Sequence, residues 1–138
     1  MGYRSSVTCI MYAVKRSYAV DRSEASGSQE VVNAWVKQHI PDLFSLTGLK
    51  LHEYFEFDDN KVVFKVEDWK WYPDYVEVKA LEDLFKAFAS TFCSGARNQE
   101  DAYAMEYIRI GEDWTDVEAQ RHGNYDCRLD LHRTTYID

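Results

Sequence analysis

The sequence predicts an α+β fold, an antiparallel sheet with two helices on one face, in the order β-α-β-β-α-β followed by an extra C-terminal strand. Three patterns lead there. Apolar residues recur at three- and four-residue steps over 29–40 and again over 74–92. They alternate with charged residues on either side of an Asp58-Asp59-Asn60 turn, and they fill consecutive positions at 7–14. The chain has 138 residues, and no Pro-, Gly- or Ser-rich stretch is long enough to separate a second core from the first, so a single α+β domain over 1–138 is expected. Its 46% hydrophobic and 15% aromatic content is enough for a packed core without metal or disulfide support.

Taken in order, Val7-Thr8-Cys9-Ile10-Met11-Tyr12-Ala13-Val14 is apolar on both faces, which predicts a central strand over 4–14. Polar residues 23–28 precede a helix over 29–40 that places Val31, Val32, Trp35, Val36, His39 and Ile40 at helical spacing. Ser26 and Ser28 are its candidate N-caps, and Pro41 is expected to end it. Residues 49–57 and 61–69 then form a β-hairpin. One face of the hairpin carries Leu49, Leu51, Phe55, Phe57, Val62, Phe64 and Val66, and the other, with Lys50, Glu56, Lys65 and Glu67, faces water.

The second helix, 74–92, has the strongest periodicity in the chain, with Val78, Leu81, Leu84, Phe85, Phe88 and Phe92 on one side. Asp74 is its candidate N-cap, and Gly95 follows its end. Residues 102–110 read as a strand stopped by Gly111, and 112–124 as a charged loop with at most a helical turn. Cys127, Leu129 and Leu131 alternate with Arg128, Asp130 and His132, which predicts a half-buried last strand running to about Tyr136. The order contains a split βαβ unit and corresponds to a ferredoxin-like sheet with one strand added.

Charge and cysteine usage narrow the function classes. Residues 1–22 hold four basic side chains against the single acid Asp21, leaving 12 basic and 23 acidic residues in the rest of the chain. Such a surface repels nucleic acid and anionic membranes and attracts a protein partner with a basic surface. An RNA-binding role, suggested by the split βαβ order alone, is opposed by this charge and by the lack of a glycine-aromatic signature in 61–69. Three cysteines, Cys9, Cys93 and Cys127, form no C-x-x-C pair and lie in apolar runs, and the N-terminus does not resemble a signal peptide. Reduced, buried thiols in a cytoplasmic protein are expected.

The search for chemistry returns little. Met1 to Ser6 satisfies the bare M-G-x-x-x-[ST] acylation pattern, but a strand that starts almost at once accounts for the same residues. His132-Arg133-Thr134 matches one H-x-T triplet of two-histidine phosphoesterases, whose chemistry needs a second triplet that this chain lacks. The histidines and cysteines match no zinc spacing, and Asp58-Asp59-Asn60 is too short for a calcium loop. Phosphate-binding and nucleophile-elbow motifs do not occur either, so no cofactor, metal or catalytic residue is assigned.

Two segments stand out as an interaction surface. Residues 67–75 bring Trp69, Trp71, Tyr72 and Tyr75 together with Glu67, Asp68 and Asp74, and residues 112–118 repeat the chemistry with Glu112, Asp113, Asp116 and Glu118 around Trp114. Aromatics with polar tips beside carboxylates suit a partner rich in Arg or Lys. The partner-binding set is therefore Asp68, Trp69, Trp71, Tyr72, Asp74, Tyr75, Glu112, Asp113, Trp114 and Asp116. Two alternatives accompany it: a small-molecule or nucleotide site on the sheet around His132, Tyr107 and Arg109, and a self-associating domain that forms a homodimer.

The opening Met1-Gly2-Tyr3-Arg4-Ser5-Ser6-Val7, the Trp69-Lys70-Trp71-Tyr72 stretch before a helix, and Glu106 to Asp113 together resemble small uncharacterised proteins encoded by bacteriophages. The resemblance supplies no catalytic residues. It implies an accessory protein acting in the host bacterial cytoplasm, a group in which several small acidic members inhibit host defence, anti-CRISPR proteins among them.

Overall fold

The structure, a computed structural model, describes residues 4–14, 28–93, 103–113 and 115–123. It is an α+β protein in which strands β1 (Ser5–Ala13), β2 (Phe55–Phe57), β3 (Val62–Trp69), β4 (Tyr103–Gly111) and β5 (Val117–Gly123) form one sheet. Helices α1 (Gln29–Thr47) and α2 (Val76–Phe88) accompany it. The strand order is β2-β3-β1-β4-β5 and every neighbouring pair is antiparallel. Strand β1 is central because its side chains are apolar on both faces. Val7, Cys9 and Met11 join the main core with α1, α2 and β3, while Ile10 and Tyr12 join a smaller cluster with Ala104 on the opposite face. That second face also buries Glu106, which accepts a 2.5 Å hydrogen bond from the Tyr12 hydroxyl and pairs with Arg121 at 3.6 Å.

Four expectations from the sequence are corrected. Pro41 does not end α1, which continues to Thr47. The proline sits at an exposed position, where the carbonyl it leaves without an amide partner is open to water, and the burial of Leu43 holds the following turns on the core. The stop comes instead at Gly48, whose left-handed backbone (φ +73°) directs its N–H onto Phe44 O at 2.7 Å. The N-terminal cap is Ser28, as expected, its Oγ accepting from the Val31 N–H at 3.3 Å.

The first hairpin arm is shortened, because Leu51–Tyr54 coils as a 3-10 turn and β2 spans three residues. This turn buries Leu51 while Leu49 remains exposed. Helix α2 begins at Val76 with Tyr75 in the cap position, so Asp74 is exposed and does not cap it. After Phe88 the chain widens into a π turn, Ala89–Cys93. That turn keeps Phe92 against Phe88, Trp35 and Tyr103, with ring centroids 4.7, 5.6 and 4.9 Å apart.

The fourth correction concerns 112–124. A tight turn at Asp113, whose carboxylate accepts from the Thr115 amide and hydroxyl, leads directly into strand β5. One face of β5 carries Glu118, Gln120 and His122 and the other only the small apolar Val117 and Ala119 before Arg121, so the alternation is too short and too weakly apolar to mark a strand. Pairing with β4 from Ile110↔Val117 to Ala104↔Gly123 makes it a strand all the same. The strand expected over 127–136, with Cys127 and His132, lies outside the described residues.

Candidate functional site: an acidic sheet end and a cleft beside helix α2

One end of the sheet gathers the two acidic-aromatic segments. Ser5, at the start of β1, pairs with Trp69 on one side and Gly111 on the other, so the end of β3 and the β4–β5 turn flank the same point. The β1–β3 register shifts between Ser5 and Val7, and the extra residue on β3 is absorbed where Asp68 takes a left-handed backbone (φ +58°). Asp is among the few side chains that tolerate that conformation. Arg4 ties the end together. Its backbone N–H donates to Glu112 Oε2 at 2.7 Å, and its guanidinium donates to the Asp68 carbonyl at 2.9 Å.

The aromatic residues of this end divide between core and surface. Trp71 is only 7% exposed and packs on Phe64 with its indole N–H donating to Glu82 Oε2 at 3.3 Å, so it belongs to the core. Trp69 is half-buried and meets Tyr54 edge-on at 4.9 Å, while Tyr72 and Tyr75 form a similar pair at 5.0 Å. Asp68, Asp74, Glu112 and Asp113 are exposed. Asp116 is held inward, its two oxygens accepting from the Arg109 guanidinium at 3.0 and 3.3 Å. Trp114 lies outside the described residues.

Among the described residues, Arg109 donates four hydrogen bonds. Besides Asp116 it donates to Glu118 Oε1 at 3.1 Å and to Ser5 Oγ at 3.1 Å. The hydrogen bond with Asp116 above all, reinforced by Glu118, raises its already high pKa against the opposing effect of burial. Its chemistry is structural, fastening the β4–β5 turn to β1.

Tyr107 differs. It stands two residues before Arg109 on the same face of β4, 4% exposed, and its hydroxyl has no hydrogen-bond partner among the described residues. Burial pushes its pKa up, and the carboxylates of Glu118 and Glu82 push it further, so it remains a neutral phenol. The Trp71 indole N–H, which also donates to Glu82, and the Arg109 guanidinium oppose that shift. Tyr107 lines a cleft of about 550 Å³ between α2 and the β4–β5 ledge, with Phe85, Ala89 and Met105 as its apolar wall and Glu82 and Glu118 as its acids. A cleft of this size lies within the range that holds small ligands, roughly 300–1,000 Å³.

Of the residues singled out from the sequence, the structure thus places Asp68, Trp69, Glu112 and Asp113 at the sheet end. Trp71 is withdrawn into the core, and Tyr107 is separated in role from Arg109. Glu82 was not anticipated, since it reads in the sequence as an ordinary charged position on a helix face, whereas Glu118 belongs to the acidic group recognised at 112–118 but is turned toward Arg109 and the cleft. Among the described residues, no three His, Cys, Asp or Glu side chains are grouped to hold a metal ion, and no helix is long and apolar enough to cross a membrane. The fold and these two regions define the class, an acidic α+β protein with a charged sheet end and a lateral cleft. No known protein family, curated protein or solved structure matches the chain.

Proposed function

We propose that this chain is a non-enzymatic bacteriophage accessory protein, built as a ferredoxin-like sheet with an added strand, that acts in the host bacterial cytoplasm. Through the acidic end of its sheet it binds a protein with a basic surface. The fitting target is a nucleic-acid-handling defence complex whose basic groove it occupies, in the manner of an anti-CRISPR protein. The observation that carries this reading is the double attachment of Arg4, which brings residues 67–75 and 112–116 together. Exposed Asp68, Asp74, Glu112 and Asp113 supply the charge, and half-buried Trp69, Tyr72 and Tyr75 supply rigid contact area. A second copy of the chain is a poor occupant of the same surface, because like charges would face each other.

The test uses substitutions that remove charge and preserve shape. Asp68→Asn keeps a residue that tolerates the left-handed backbone, Asp113→Asn keeps an acceptor for Thr115, and Glu112→Gln keeps one for Arg4, while Asp74→Lys reverses a charge that has no structural partner among the described residues. Affinity purification from infected cells identifies the partner, and binding is then measured with purified components over a salt series. The expected result is loss of binding in the fourfold variant and a steep decline with salt in the native protein. Binding indifferent to both changes refutes the electrostatic reading, and a partner that is nucleic acid refutes the class.

A further inference from the structure

The cleft beside α2 is independent of the acidic sheet end and carries an inference of its own. Two of its polar groups are unsatisfied in a complementary way. The Tyr107 hydroxyl is buried without a partner among the described residues, and a buried hydroxyl in that state costs about 1–3 kcal/mol. Glu82 has a carboxylate with no described cation opposite it. Its hydrogen bond comes from the Trp71 indole, and Lys86, one turn further along α2, makes no ion pair with it. On the other flank, Glu118 is held by Arg109 through one oxygen, while its second accepts from Gln120 at 3.1 Å. Phe85, Ala89 and Met105 offer an apolar wall against which a hydrocarbon or aromatic body can lie.

We propose that this cleft is a binding site for a small organic cation, an amine, amidine or guanidine carried on an apolar body. The cationic head donates to Glu82 and to the lone pairs of the Tyr107 hydroxyl, and the body packs on Phe85 and Met105. Both carboxylates that flank the hydroxyl are partly exposed, so rotation of the Glu82 side chain admits the head to the cleft floor. The phenol stays protonated there because its burial, and then the two neighbouring carboxylates, disfavour its anion. An anionic ligand meets the same two carboxylates and is excluded, and a neutral one leaves Glu82 without a cation. An arginine side chain of a bound protein has the same head chemistry as a free amidine, and the two sources are separable by experiment.

The probes are benzamidine, its neutral isostere benzamide, and N-acetylarginine amide, titrated into the full chain. Nitrogen-proton NMR spectra are read at the Trp71 indole N–H, which touches Glu82. Benzamidine is expected to shift that resonance saturably and benzamide is not. Glu82→Gln, which keeps the hydrogen-bonding shape and removes the charge, is expected to weaken binding by about tenfold. Tyr107→Phe tests the floor of the cleft and is expected to weaken binding by a smaller factor, with thermal unfolding confirming that the variant folds. Tighter binding of N-acetylarginine amide than of benzamidine identifies a peptide arginine as the source, and the reverse order identifies a free small molecule. Equal shifts with benzamide, no saturable shift with any cation, or Glu82→Gln binding as well as the native chain each overturn the proposal. The fourfold variant with Asp68→Asn, Asp74→Lys, Glu112→Gln and Asp113→Asn is expected to bind benzamidine normally, which separates failure of this site from failure of the sheet-end reading.

Discussion

Replacing Arg109 by Met keeps the unbranched apolar stem of the side chain, removes its charged head and tests whether the β4–β5 turn is fastened by the guanidinium. Arg109 is 18% exposed, whereas its partners Asp116 and Glu118 are 36% and 43% exposed, so both ion pairs are partly screened. Screened pairs of this kind contribute about 0.5 kcal/mol each, roughly 1 kcal/mol together. The Ser5 hydroxyl belongs to a buried residue, and removing its guanidinium donor adds a further penalty of about 1 kcal/mol. The total is about 2 kcal/mol. With an unfolding entropy of about 2.1 cal/mol/K per residue over the whole chain, that lowers Tm by about 7 °C.

Calorimetry or circular dichroism on the native chain and Arg109→Met, each at low and high salt, gives the answer. The difference is expected to shrink by about half at high salt, because the ion-pair share is screened and the Ser5 share is not. A Tm within about 1 °C of native at both salt levels would show that the network is solvated and contributes nothing. A double-mutant cycle with Asp116→Asn then assigns the coupling, expected at about 0.5 kcal/mol.

Other outcomes follow from single groups. Tyr107→Phe removes a hydroxyl that has no partner among the described residues, so stability is expected to hold or to rise by up to about 1 kcal/mol in urea unfolding, and a loss of that size would mean that the hydroxyl is bonded after all. Gly123→Ala places a Cβ against the carbonyl oxygen of Tyr103 at a backbone angle of φ +78°. A loss of more than about 2 kcal/mol is expected, with hydrogen exchange accelerated first in β5, and native-like exchange there would contradict the close approach. Burial holds the Cys93 thiol up at about 12 against an ordinary 9.0, and Cys9 is raised in the same way. Above pH 9 the unfolded thiol loses its proton before the folded one does, so stability is full below that pH and declines as pH rises toward 12. Cys93→Ala is expected to flatten that decline, and alkylation with peptide mapping is expected to spare both thiols until the protein is denatured.

What the sequence made legible follows from which forces leave a local pattern. Strand β1 was recognisable because both its faces are buried, and α2 because its apolar residues keep to one side along the whole helix. The course of α1 past Pro41 was not, since the proline rule is local and the anchoring of Leu43 is tertiary. Strand β5 left only a brief alternation, Val117 and Ala119 against Glu118 and Gln120. It is specified by backbone pairing to β4 and by Arg109–Glu118 and Arg121–Glu106, pairs that join residues on different strands. The same limit governs the sites. Acidic and aromatic residues clustered at 67–75 could be seen as a segment, but which ring is withdrawn depends on the core: Trp71 is taken by Phe64 and Glu82, and Trp69 is left at the rim.

Strand β4 shows why two residues of similar promise in the sequence end with opposite roles. Tyr107 and Arg109 lie on one face, separated by a single residue that points the other way. Arg109 faces Glu118 across the β4–β5 ladder and reaches both Asp116 and Ser5, so all of its charge is consumed in closing the sheet end. Tyr107 faces Gln120, which turns its amide to Glu118, and so it receives nothing from β5. On the helix side, the nearest acid, Glu82, is engaged by the Trp71 indole. The two regions put forward for binding differ in the same way: the cleft sets the Tyr107 hydroxyl beside a carboxylate that has no described cation, and at the sheet end exposed acids gather where the Arg4 backbone N–H holds Glu112 and its guanidinium holds the Asp68 carbonyl. On the two proposals made above, a ligand for either region brings positive charge. The acidity first seen as a bulk property of the composition thus resolves into two separate places, the exposed acids of the sheet end and the carboxylates that flank the cleft.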